Sequence, residues 1–237
     1  NLGWEDLDLS RFDLVRRFDV EVANESNMAA VAQLPGYATQ RTDEGIVGPN
    51  GSFLYVSTDI GIGGAIVRGG RVVTGDHGFA GEIGHLSVQM DGPVCRCGRR
   101  GCVEAYAGRR SMVEAAGVAE GNAAVSQEAL DEFGRRVQEG DPVATAVFAD
   151  AGHAMTSMLT SVINLADLDT VIIGGSWSRV PADVLARMAA RIQERILARG
   201  TLNVRLLRAS VISRPALFGA AQTGLRNFID DPLRYLG

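Results

Sequence analysis

Two hydrophobic periods run through this chain, and the change from one to the other marks its elements. The run Phe53-Leu54-Tyr55-Val56-Ser57 is short and apolar without interruption, the pattern of a strand buried on both faces. Around Gly69-Gly70, the segments Ala65-Ile66-Val67 and Arg71-Val72-Val73 predict a hairpin. Farther on the period lengthens to that of a helix. Leu130, Phe133 and Val137 mark one helix, and Val143, Val147, Ala151, Met155, Met158, Val162 and Leu165 mark a longer one, with the methionines as packing residues. A strand over residues 170–173, the pair Gly174-Gly175, a helix over 181–199, a strand over 203–207 and a last helix near 217–228 complete the second half. Nearer the start, residues 19–22 read as a short strand, and Asn24 as the N-cap of an Ala-rich helix running to about Gln33. Helices alternating with short strands predict an α/β layered fold.

Two stretches break the pattern. Residues 45–51, with Pro49-Asn50-Gly51, carry turn chemistry and predict a boundary between residues 1–50 and 51–237. Over residues 75–108 periodicity lapses while Gly, Cys and His accumulate, which predicts a functional site built from loops.

Composition narrows the reading. With 46% hydrophobic residues among 237, 29 Gly and only 7 Pro, the chain can bury a sizeable core. Its 23 basic residues, all Arg, face 28 acidic ones for a net charge of −5, so no basic face for nucleic acid is visible; Arg109-Arg110 and Arg135-Arg136 read as solvated faces. No apolar run approaches the ~18–20 residues of a membrane span, and residues 1–10 lack the basic start and apolar core of a signal peptide, so a soluble cytoplasmic protein is expected.

All three cysteines lie within eight positions, in the spacing His85-x9-Cys95-x-Cys97-x4-Cys102. Three thiolates and an imidazole suit a closed tetrahedral site for structural Zn2+; the alternative is a reduced thiol cluster with His85 an ordinary loop residue. His77 and His153 have no partners at metal spacing, and His153 is expected to lie partly buried on the long helix.

Here a resemblance becomes specific. Gly81-Glu82-Ile83-Gly84-His85, followed by Cys95-x-Cys97-Gly98-x-x-Gly101-Cys102-Val103-Glu104, resembles the signature of the ROK family of bacterial sugar kinases and sugar-responsive repressors. The segments Asn1-Leu2-Gly3-Trp4, Val22-Ala23-Asn24-Glu25-Ser26-Asn27, Gly61-Ile62-Gly63-Gly64, Val171-Ile172-Ile173-Gly174-Gly175 and Gly219-Ala220-Ala221 are similar to the family's blocks, in its order. The resemblance implies an actin-like (ribonuclease H-like), two-lobed sugar kinase fold with the sugar between the lobes. Residues 1–50 would be the end of an incomplete first lobe and 51–237 the second, its last helix packing back on the first. It also implies sugar contacts from Asn24, Glu25, Glu82, His85 and Glu104, with metal on one His85 nitrogen fixing the tautomer of the other. Gly61, Gly63, Gly64, Gly174 and Gly175 would approach the phosphates and adenosine of ATP in a kinase, although tight turns use glycines for their own sake.

Three departures bear on activity. Glu25 stands where the kinases carry Asp as general base, and the added methylene moves the carboxylate by about 1 Å, a displacement that can cost roughly a hundredfold in rate. Asp59-Ile60 replaces Gly-Thr at the phosphate turn, placing a repulsive charge there and removing a hydroxyl. The family's Asp-x-Gly-Gly-Thr loop would precede Asn1, as would the winged helix-turn-helix of the repressors. The resulting expectation is the sugar-sensing effector domain of a ROK-type transcriptional repressor. It would be a homodimer or dimer of dimers that binds a monosaccharide and reaches DNA through a winged helix-turn-helix outside this chain. The alternative is an ATP- and Mg2+-dependent sugar kinase with Glu25 as base; a carbohydrate-binding remnant with neither activity is a third reading.

Overall fold

Capping and hydrophobic period together decide where the elements form. In the computed structural model, which describes residues 7–18, 22–35 and 47–235, helix α1 (Asp13–Phe18) and helix α2 (Glu25–Val31) precede strands β1 (Phe53–Ser57), β2 (Gly63–Arg68) and β3 (Arg71–Val73). Short helices α3 (Glu104–Ala107) and α4 (Arg109–Ala115) follow the long loop, then α5 (Gln127–Gln138), α6 (Pro142–Ala166), β4 (Thr170–Ile173), α7 (Ala182–Arg195), β5 (Arg205–Arg208) and α8 (Pro215–Asp230). Asn24 caps α2 as its sequence suggests, its Oδ1 accepting from the N–H of Ser26 at 2.8 Å. Asp141 and Pro142 start α6 in the same manner, the carboxylate accepting from Ala144 N–H at 2.8 Å.

The sheet has the order β3-β2-β1-β4-β5. β2 pairs antiparallel with β1 and with β3, the latter through a turn in which Gly69 and Gly70 take positive φ, whereas β4 lies parallel to both β1 and β5. Alternation along the strands sends Leu54, Val56, Val171 and Ile173 to one face, where Met155, Met158, Leu159 and Ile163 of α6 are fully buried. Each such side chain contributes about 1.5–3 kcal/mol by burial, which makes α6 the principal cover of this face. Phe53, Tyr55, Ala65, Val67 and Ile172 point to the other face, against Ala29, Ala30 and Leu34 at α2. Helix α8 closes over α2 at Gly219, where a Cβ would fall on the Met28 carbonyl.

Several expectations need adjustment. The strand read at 19–22 falls mainly outside the described residues, as do residues 45 and 46 of the proposed boundary loop. The stripe on α6 is buried only at its middle: Val143 and Leu165 at its ends are exposed. His153 is exposed, not partly buried, because it lies opposite the Met155–Met158 stripe. The α7 and β5 boundaries move inward and outward by a few residues, and α1, α3 and α4 were too short for a period to reveal. Among the described residues no helix is long and apolar enough to cross a membrane.

Gly219→Val should separate α8 from α2. Overpacking of about 1–3 kcal/mol predicts a melting temperature lower by several degrees, whereas Gly224→Ala, which meets open space on the same helix, should leave it unchanged or slightly raised.

Candidate functional site

At the junction of β1 and β4 the chain leaves in opposite directions, toward β2 on one side and β5 on the other. In open α/β sheets such a switch point, at the carboxyl ends of parallel strands, opens a crevice for ligand. Here both strands end in turns that lock together. Thr58, directly after β1, donates from Oγ1 to Gly174 O at 2.5 Å and accepts from Trp177 N–H at 2.9 Å, while its carbonyl accepts from Ser176 N–H at 2.8 Å. Gly175, at φ +72°, lets that turn lie against Thr58 and the Asp59 carboxylate. Trp177 anchors the assembly from below, its Nε1 donating to Ala107 O at 3.0 Å.

The turn between β1 and β2 is the meeting point of the other segments. Gly61 lies against the Glu104 carboxylate, whose Oε2 accepts from Ile62 N–H at 3.0 Å. Gly63 abuts Ser26 on the first turn of α2, and Gly64 abuts Ile83 and the Gly81 carbonyl. Asn24 and Glu25, the Gly81–His85 loop and Glu104, far apart in sequence, are therefore brought to one turn. Asn24, Glu25 and Glu82 are exposed there, Asn24 with its Oδ1 committed to the helix cap. Glu104 is buried, which leaves its role divided between the turn and any ligand. Burial raises the Tyr55 phenol above its usual range, and the carboxylates of Asp59 and Glu25 add to the effect; the hydroxyl lies under Gly174.

His85, Cys95, Cys97 and Cys102 converge as their spacing predicts, all ligand atoms within 4.8 Å of one another. Bond lengths of about 2.3 Å to sulfur and about 2.0 Å to nitrogen would place tetrahedral ligands about 3.6–3.8 Å apart. The structure has Cys97 and Cys102 Sγ atoms 3.7 Å apart and Cys95 Sγ 3.9 Å from His85 Nδ1, so the four fit such an ion. Burial pushes the Cys102 thiol up to about 12, whereas backbone donation at Arg99 lowers Cys97 to about 6; a cation among them would favour thiolate at each. Positive φ at Gly98 and Gly101 folds the loop back, and Cys95 N–H donates to Arg99 O at 2.7 Å.

Beside the locked turns opens a cavity of about 630 Å³, lined by Leu130, Phe133, Phe148, Ser176, Trp177 and Arg179 among others. Phe148 stacks on Trp177 with centroids 5.5 Å apart. Sequence reasoning missed Thr58, Trp177 and this cavity. The Trp177 position, two residues past a glycine pair that ends a strand, was the available signal. Arg109 and Arg110 are not the solvated pair expected: their side chains are 13% and 19% exposed, and they donate to the Val125 and Gly121 carbonyls.

The family model for ROK matches residues 1–225. An N-acetylmannosamine kinase of Escherichia fergusonii is 33% identical over 153 residues, covering 65% of this chain and 48% of that enzyme, so the chain spans about half the length of the curated relatives it matches. The ROK hexokinase from Thermus thermophilus shares 29% identity at a TM-score of 0.67, over 87% of this chain and 65% of that one. A ROK family transcriptional regulator, homologue of the E. coli MLC protein, has 25% identity at 0.67, over 89% and 53%. The actin-like, ribonuclease H-like α/β fold is thereby established, and kinases and regulators share it.

These findings correct the expectation of a repressor's effector domain partnered with DNA through a winged helix-turn-helix. The curated relatives matched here are kinases of N-acetylmannosamine. The electrostatic ground for that expectation also weakens, because the Asp59 carboxylate does not stand alone at the turn: Arg109 lies 3.7 Å from it.

Thr58→Val removes the hydroxyl that joins the two turns and leaves the Gly174 carbonyl and Trp177 N–H buried without partners. A cost of about 1–3 kcal/mol per group is expected, read as an earlier urea midpoint.

Proposed function

The chain belongs to the ROK family, and from that membership we propose that it works as an ATP-dependent sugar kinase acting on an N-acetylated hexose or a closely related monosaccharide. One observation carries the reading: two glycine turns lock together where β1 and β4 end side by side, and Ser26, next to the exposed Glu25, lies against Gly63 of the first of them. The names of the curated relatives support the substrate class.

Phosphoryl transfer asks a protein for position and charge more than for covalent chemistry. The turn at residues 59–64 and Gly174-Gly175 would border the phosphates, with the amides of Ile62, Gly174 and Ser176 already spent within the protein. The aromatic-walled cavity beside Ser176 and Trp177 suits the nucleoside. Glu25, at the first turn of α2 and next to β2 through Ser26, takes the proton of the attacking sugar hydroxyl. Its longer side chain is exposed at a helix start and has no fixed partner among the described residues, so the extra methylene can be absorbed by rotamer choice. Glu82, His85 and the amide of Asn24 bind the remaining sugar hydroxyls, and Glu104 holds the turn with one oxygen while offering the other. ATP enters with Mg2+, which offsets its charge. Zn2+, when bound by His85, Cys95, Cys97 and Cys102, supplies a fixed tautomer at the free His85 nitrogen.

Glu25→Gln should lower kcat by about 10²–10⁴-fold with the sugar KM changed only a few-fold, and Glu25→Asp should retain more activity than Glu25→Gln. Steady-state assays coupled to ADP release check this; a Glu25→Gln variant with full kcat removes the base from Glu25. Elemental analysis should find about one zinc per chain, lost in Cys97→Ser together with several degrees of melting temperature.

A further inference from the structure

Arg109 begins α4 immediately after Gly108, which packs against the Ile60 carbonyl of the phosphate turn. Its side chain is mostly buried, yet its donors are largely unspent. Nη1 donates to Val125 O at 2.9 Å, Nη2 stands 3.7 Å from Asp59 Oδ1, too far for a hydrogen bond, and Nε is buried without a partner among the described residues. Asp59 in turn is 61% exposed and lies against Gly175, where the two turns lock. Arg135 and Arg136 are held by Glu132 and Arg187 by Asp183; Arg110, whose Nε is likewise buried without a partner among the described residues, turns to Gly121 O beside Glu114, and Arg179 is exposed on the cavity wall, so it is the place beside Asp59 that sets Arg109 apart. Since these 237 residues include no lysine, a strongly basic side chain that they offer a phosphate is an arginine.

We propose that Arg109 is the phosphate-binding cation of this turn, its guanidinium engaging the nucleotide's phosphate oxygens, with Asp59 as the counter-charge that occupies it otherwise. This rests on the kinase reading and extends it. A lone carboxylate at the turn repels a polyphosphate. A carboxylate beside a guanidinium forms a neutral pair, and a phosphate presenting several oxygens competes for the planar fork better than an exposed carboxylate at 3.7 Å. The pair also accounts for how Asp59-Ile60 is compatible with ATP: the donor that the family's threonine would supply comes from α4 instead.

The test is calorimetric titration of the 237-residue chain with Mg-ADP and, separately, with N-acetylmannosamine, in the wild type, Arg109→Met, Arg109→Lys and Asp59→Asn. Arg109→Met should weaken ADP about 10–100-fold and flatten its salt dependence, with sugar affinity within about threefold. Arg109→Lys, which keeps the charge without the fork, should fall between, and Asp59→Asn should tighten ADP about 3–10-fold by releasing the guanidinium. If Arg109→Met binds ADP normally while its melting temperature drops, Arg109 only anchors the Val125 segment and the proposal fails. If Asp59→Asn weakens ADP, Asp59 serves the nucleotide's metal and the pairing is wrong. A wild type that binds sugar but no ADP overturns the kinase reading and this proposal together, an outcome distinct from the first two.

Discussion

The joint between the ends of β1 and β4 is the constraint on which the site depends. Thr58 spends its hydroxyl and its carbonyl on the backbone of the β4 turn, and the glycines on both sides remove the side chains that would hold the two turns apart. A buried threonine that bonds at both ends is a rigid spacer, since each bond lost would leave an unsatisfied group in the core. Everything that bears chemistry is then measured from that joint. The β1–β2 turn continues directly from it, Glu104 ties that turn to the cysteine loop, and Ser26 carries the α2 helix and its exposed carboxylate up to the same edge.

Legibility in the sequence followed the range of the physical signal. β1, the hairpin and α6 were readable because buried periodicity and Gly-Gly turns are local; the cap at Asn24 is local too. The metal ligands were readable because four soft donors in eighteen positions have few other uses. What stayed hidden joins separate elements: Thr58 with Gly174 and Trp177, 116 and 119 residues on, and the cavity walled by Phe148 and Trp177. No period or motif encodes such pairs. Arg109 illustrates the same gap: a doubled arginine reads as surface, and only the fold shows its side chain folded inward against Val125.

The choice between sensing a sugar and phosphorylating it turned on charge at one loop. Read residue by residue, Asp59 argues against a triphosphate; read with the guanidinium beside it, the same carboxylate belongs to a neutral pair and the objection lapses. Glu25 follows a similar logic. A methylene matters where a side chain is packed in place, and this one is exposed in the first turn of a helix. Substitutions at candidate site positions are thus judged by their surroundings in the fold, and here those surroundings are compatible with the proposed kinase reading.

The most direct test of the account is a crystal structure of the chain with Mg-ADP and N-acetylmannosamine bound. Phosphates resting over residues 59–64 with the base against Trp177, and the sugar ring between Glu25 and His85, would bear the account out. A nucleotide bound away from the β1–β4 crevice, with that crevice unchanged, would contradict it.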